Sequence, residues 1–160
     1  MASVPAIYAR NLTPARLSLT GRAAALAVSA GCLTILIIAA TLPPDPQGIG
    51  SHREMGLAPC QFKYRTGVPC VTCGMTTSFA HFVRGQLAAS VYVQPMGMVL
   101  ALTTAVVFWV GLYIALTARP AHRLLRFFPM KVFLIPLFTL TILAWVWKIW
   151  IHVSGRDGWG

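Results

Sequence analysis

The sequence predicts an all-α integral membrane protein, and three observations predict it. Of 160 residues, 57% are hydrophobic and only 10% charged, whereas soluble domains carry about 25% charged residues. Mean hydropathy is +0.71, which puts the chain in the membrane class. Three apolar runs, at about 23–42, 96–118 and 132–153, each reach the roughly 20 residues that cross a bilayer core. One membrane domain over 1–160 accounts for the length.

The first run, Ala23 to Leu42, has no charge between Arg22 and the breaker Pro43-Pro44-Asp45-Pro46. It is long for a signal-peptide core and lacks a clear A-x-A site, so a retained helix is expected. Cys32 inside it reads as a small packing residue. Ala23, Ala27 and Gly31 form a small-residue ridge. Such a ridge lets helices approach closely, through self-association, another membrane subunit, or packing among the chain's own spans.

The second run, about Met96 to Ala118, is bounded by Pro95 and by Arg119-Pro120. The third, about Val132 to Val153, contains Lys148. Its long stem is expected to snorkel to the interface, beside an aromatic belt of Trp145, Trp147 and Trp150. His152 is expected at the same interface, and His122 in solvent.

The formal charge of +10 comes from thirteen basic residues against three acids. These charges flank apolar spans rather than patch a soluble module, so the expected partner is the lipid bilayer and not nucleic acid. Orientation follows from the short loops. Arg10, Arg16 and Arg22 precede the first span; Arg119, Arg123, Arg126 and Lys131 follow the second. These seven predict a cytoplasmic N-terminus, with residues 43–95 and the C-terminus extracytoplasmic.

Residues 43–59 are rich in Pro and Gly and read as a loop. Met75, Phe79, Phe82 and Val83 then mark one face of a helix, with Thr76, Thr77, Ser78, His81 and Arg84 off that stripe. Gly85 is expected to interrupt it before Leu87–Val93 resumes. The segment 75–93 is therefore read as a short interfacial helical segment.

The chemistry concentrates in Cys60-x9-Cys70-Val71-Thr72-Cys73-Gly74. In a C-x-x-C-G turn both sulfurs can face one centre, and the glycine permits a left-handed backbone. Three readings stay open. A metal site would use Cys60, Cys70 and Cys73, with His81 or His52 as a fourth ligand and zinc as the ion. Copper is the variant, because Met55, Met75, Met96 and Met98 add thioethers. A redox site would use Cys70 and Cys73, whose thiols a following helix would acidify. The third reading is a structural disulfide pinning the loop. Covalent haem attachment is disfavoured, since Gly74 stands where C-x-x-C-H needs histidine.

Cys60-x5-Thr66-Gly67-x2-Cys70-x2-Cys73-Gly74-Met75-Thr76, followed by a helical stretch and Pro95, resembles a family of small bacterial membrane proteins of unknown function. The hallmark of that family is C-P-x-C-G-[LM]-T-R after an upstream C…T-G. The resemblance covers under a quarter of the chain. Val71 stands where the family usually has Pro, and Thr77 where it usually has Arg. The resemblance implies a protein of the bacterial inner membrane with paired cysteines, and no particular activity.

With Asp45, Glu54 and Asp157 as the only acids, carboxylate-pair chemistry is nearly excluded, and no phosphate loop or Ser-His-Asp pattern appears. The leading expectation is a non-enzymatic subunit or accessory protein of a membrane assembly, its extracytoplasmic cap stabilised through the cysteines by disulfide or metal. The alternatives are a thiol-redox or metal-handling protein acting through Cys70 and Cys73, and a pigment- or quinone-binding subunit.

Overall fold

A computed structural model describes residues 17–119 and 130–158. Arg10, Arg16, His122, Arg123 and Arg126 lie outside the described residues, as do the side chains of His52 and Lys131. The described residues are helical and contain no strand. Helix α1 is Leu19–Thr41, followed by a 3-10 turn at Ser51–Met55. Then come α2, Gln61–Thr66; α3, Met75–Val83; and α4, Leu87–Val93. Helix α5 is Pro95–Thr117 and α6 is Met130–Val153. Three segments are long and apolar enough to cross a membrane: Leu19–Thr41, Pro95–Thr117 and Leu134–Val153.

Helix α1 begins at Ser18, whose hydroxyl accepts from the Gly21 amide. This satisfies one of the free donors of the first turn. It starts before Ala23 because Arg22 folds back onto the protein: its Nε donates to Ala115 O of α5 at 2.9 Å. Helices α1 and α5 run antiparallel. They close on each other at Gly111, where an added Cβ would lie 2.4 Å from Ser29 Oγ. Ser29 in turn donates to Phe108 O at 3.1 Å. The face of α1 in contact is therefore Arg22, Ala25 and Ser29. Ala23, Ala27 and Gly31 are exposed on another side, and nothing lies within 4 Å of a Cβ built on Gly31.

Residues 43–94 form a cap at the end where α1 finishes and α5 begins. Arg84 ties it to α1: its guanidinium donates to Ala40 O at 3.0 Å, Ala39 O at 3.4 Å and Ala80 O at 2.8 Å. Gly85, at φ +74, breaks α3 from α4 as the sequence indicates. The loop over 43–59 is not wholly irregular, since it contains the 3-10 turn. Helix α2 was not anticipated.

Helix α3 buries the opposite face from the one its apolar stripe suggests. Thr77, Ser78, Ala80 and His81 are buried, while Met75, Phe79, Phe82 and Val83 stay partly exposed. The reason is the small hydroxyl side chains. Ser78 Oγ lies 2.9 Å from Ser90 Oγ and 3.1 Å from Gln94 O, and Ser90 Oγ donates to Ser78 O at 2.8 Å. Thr77 Oγ1 meets Ser51 Oγ at 2.9 Å. Small residues let the helices come close, and their hydroxyls satisfy one another and the backbone. The larger apolar side chains are left facing outward.

Helix α6 meets both the cap and the start of α5. Trp147 Nε1 donates to Tyr92 O at 2.8 Å, and Thr141 Oγ1 to Met96 Sδ at 3.7 Å. Lys148 does not snorkel outward. It is fully buried, its Nζ 3.4 Å from Gly48 O and 3.5 Å from Asp157 Oδ1. An ammonium can stay inside because the cap supplies the Gly48 carbonyl and the tail after α6 supplies the Asp157 carboxylate.

Candidate functional site

Cys60 is the residue immediately before α2. That helix lasts six residues and ends at Gly67, where φ is +71 and the amide donates to Lys63 O at 2.9 Å. Thr66 Oγ1 donates to Phe62 O at 2.7 Å, and the Val68 amide donates to Thr66 Oγ1 at 3.3 Å. The Thr-Gly pair thus reverses the chain and returns Cys70 to Cys60. The next turn is closed by Cys73 N donating to Cys70 O at 3.0 Å, while the Cys70 amide points at Cys73 Sγ at 3.3 Å. Gly74, at φ +85, then turns the backbone into α3. A Cβ there would lie 2.7 Å from Gly48 O, so only glycine fits.

These two turns bring three sulfurs together. Cys60 Sγ lies 3.5 Å from Cys70 Sγ, and Cys70 Sγ lies 3.2 Å from Cys73 Sγ. All three are within 4.8 Å of one another, and all are free thiols. Cys73 is buried; Cys60 and Cys70 are half-buried.

The two thiols of the C-x-x-C turn differ in acidity. Burial works against the Cys70 thiolate, but hydrogen bonds with Thr72, Cys73 and Cys60 outweigh it and lower the thiol to about 7. Burial pushes the Cys73 thiol up to about 12, and its hydrogen bond to Cys70 adds to the rise. The start of α3 therefore does not acidify both thiols.

Of the two fourth ligands considered from sequence, His81 is not in the group, and the side chain of His52 lies outside the described residues. His81 is buried on α3 with its Nδ1 2.6 Å from Gln86 Oε1. Among the described residues, no His, Asp or Glu joins the three cysteines. The thiols open instead onto a groove of about 630 Å³. Its walls are Ile35 and Ile38 of α1, Leu42 just past its end, and Met55, Met75 and Phe79 of the cap.

Three residues of α6 hold the turns from behind. Trp145 Nε1 donates to Pro69 O at 3.1 Å. Lys148 reaches Gly48 O, and its Cε lies 3.4 Å from a Cβ placed on Gly74. His152 Nε2 donates to Gly67 O at 3.2 Å, and its Nδ1 pairs with Asp157. Gln94 adds a bond from Nε2 to Val71 O at 2.8 Å. Sequence reasoning assigned Trp145, Lys148 and His152 to an interface. The available signal was three hydrogen-bonding side chains at 145, 148 and 152 on one face of an otherwise apolar helix.

Residues 60–108 match the family DUF2752, described as a protein of unknown function. The matched stretch runs from Cys60 through the cap helices α2, α3 and α4 into α5. No curated protein matches the chain, and no solved structure does. The cysteine turns and the helices that follow them are thus the part of this chain similar to an uncharacterised family.

Proposed function

We propose that this small membrane protein carries a metal–thiolate centre in its cap, with Cys60, Cys70 and Cys73 as ligands. The observation that carries the reading is the convergence of three free sulfurs from two separate turns within 4.8 Å. At a metal–sulfur distance of about 2.3 Å, sulfurs around a tetrahedral ion stand about 3.8 Å apart. The separations here, 3.2 and 3.5 Å with a third pair inside 4.8 Å, need only small adjustments. A second support is that the cap does not need the cysteines as its anchor. Arg84, Trp145, Lys148 and His152 already tie it to the spans. Three protein ligands with a fourth position open to a groove suit an ion that is exchanged or used, rather than one sealed in a structural site.

The test is titration of the reduced full-length protein with Cd²⁺, followed by its ultraviolet thiolate charge-transfer absorption. One equivalent per chain is expected, with Cys60→Ser, Cys70→Ser and Cys73→Ser each weakening binding by at least about tenfold. A band unaffected by Cys60→Ser refutes the three-ligand centre.

The split acidity of Cys70 and Cys73 favours a second reading, thiol–disulfide exchange, with Cys70 attacking and Cys73 or Cys60 resolving. Reversible oxidation of Cys70 that persists with metal at saturation distinguishes it. The cap is assigned to the extracytoplasmic face on the distribution of Lys and Arg, and to a bacterial inner membrane on the family resemblance. Labelling of Cys60 in intact cells by a membrane-impermeant maleimide tests that orientation, and labelling only after lysis overturns it.

A further inference from the structure

Among the described residues, the ligand atoms gathered at the site are the three cysteine sulfurs, with the Thr72 hydroxyl 3.3 Å from Cys70 Sγ. Besides Cys60, Cys70 and Cys73, the groove wall carries the thioethers of Met55 and Met75. Three of the described harder donors, His81, His152 and Asp45, are engaged in other contacts. His81 is bonded to Gln86, and His152 to Gly67 O and Asp157. Asp45 accepts from the Gln47 amide at 2.7 Å. The other polar side chains on the wall are the hydroxyls of Thr72, Thr76 and Thr77, and Thr77 is held by Ser51.

This donor set discriminates between ions. Zinc held by three cysteines completes its four-coordinate shell with a nitrogen or oxygen ligand: a histidine, a carboxylate or a water. A monovalent d¹⁰ copper ion is satisfied by sulfur alone and by three ligands. Thiolate and thioether are the ligands that select it. Three thiolates around Cu⁺ carry a net charge of −2. Basic groups are at hand: Lys63 and Arg65 lie on the helix that follows Cys60, and Lys148 lies behind Gly74.

We infer that the ion of this centre is Cu(I), bound by the thiolates of Cys60, Cys70 and Cys73 and handed to them through the groove by the thioethers of Met55 and Met75. This rests on the metal reading above and names the ion.

The experiment uses full-length protein in mild detergent under anaerobic conditions. Cu(I) is supplied from its bicinchoninate complex, and binding is followed by loss of that chromophore. One Cu(I) per chain is expected, with an X-ray absorption spectrum showing three sulfur neighbours and no nitrogen or oxygen. In Met55→Leu/Met75→Leu, a change of similar volume, loading is expected to be about tenfold slower with unchanged final stoichiometry. Loading at the parental rate overturns the thioether route. A nitrogen or oxygen neighbour, or Zn(II) retained in preference to Cu(I) by protein extracted from cells supplied with both, overturns the copper assignment while leaving the thiolate centre standing. Failure to bind either ion, or binding indifferent to Cys60→Ser, overturns the centre itself.

Discussion

Replacing Gly74 by alanine isolates how tightly the cysteine turn is clamped, and Gly67→Ala is its internal reference. Both glycines have left-handed backbones, at φ +85 and +71. A side chain there costs about 1–2 kcal/mol, offset by about 0.5 kcal/mol because alanine has less freedom to lose on folding. At Gly67 nothing lies within 4 Å of the added Cβ, so the net effect is about 1 kcal/mol. At Gly74 the Cβ meets Gly48 O at 2.7 Å, Val93 Cγ1 at 3.3 Å and Lys148 Cε at 3.4 Å. The carbonyl is backbone and Lys148 is fully buried, so overpacking adds about 2 kcal/mol. The totals, about 1 and about 3 kcal/mol, correspond to about fivefold and about 150-fold in the population of the opened cap. Cys73 is the reporter, since it is buried in the closed cap. Its N-ethylmaleimide modification rate in metal-free protein, read by mass spectrometry, should rise in those proportions. Equal rates for the two variants would refute the claim that the loop of Gly48 and the third span press on this turn.

Two further predictions follow from the same geometry. In metal-free protein, Cys70 has its thiol lowered to about 7, so its alkylation should switch on as pH rises through about 7 and fall away below it. Cys73, pushed up to about 12, should stay protonated and slow across that whole range; a Cys70 profile centred near 9 contradicts the hydrogen-bonded arrangement. Lys148→Met leaves Gly48 O without its ammonium partner and Asp157 with His152 alone. The loss should be about 3 kcal/mol, the lower end for a broken buried pair, seen as a lowered thermal midpoint in detergent. An unchanged midpoint contradicts the buried position of Lys148.

The three spans were legible because lipid demands long uncharged runs, and Pro43, Pro95 and Arg119 bound them locally. The first span starts earlier than its first uncharged residue because Arg22 finds Ala115 O across the helix pair, a tertiary contact no run of residues announces. Helix α2 was missed because Gln61–Thr66 is too short for periodicity to show; its stop signal, Thr66-Gly67, was present. The apolar stripe on α3 was legible as a pattern but not in direction. Beside a bilayer the large apolar groups can face outward, while Ser78 and Ser90 provide the close inner contact. The cysteines were legible from spacing, and their meeting follows from the Thr66-Gly67 reversal. Lys148 was not: its stem allows snorkelling, and only Gly48 of the cap and Asp157 of the C-terminal tail explain why it stays inside.

The meeting of Cys60 with the Cys70 turn is tested most directly by a short bifunctional bimane that fluoresces only when it bridges two sulfurs. It would be applied to reduced protein retaining just Cys60 and Cys70, and to a control retaining just Cys32 and Cys70. Strong fluorescence in the first and none in the second is the expected result. A dark Cys60–Cys70 protein, with both thiols shown to be reactive singly, would contradict the shared site.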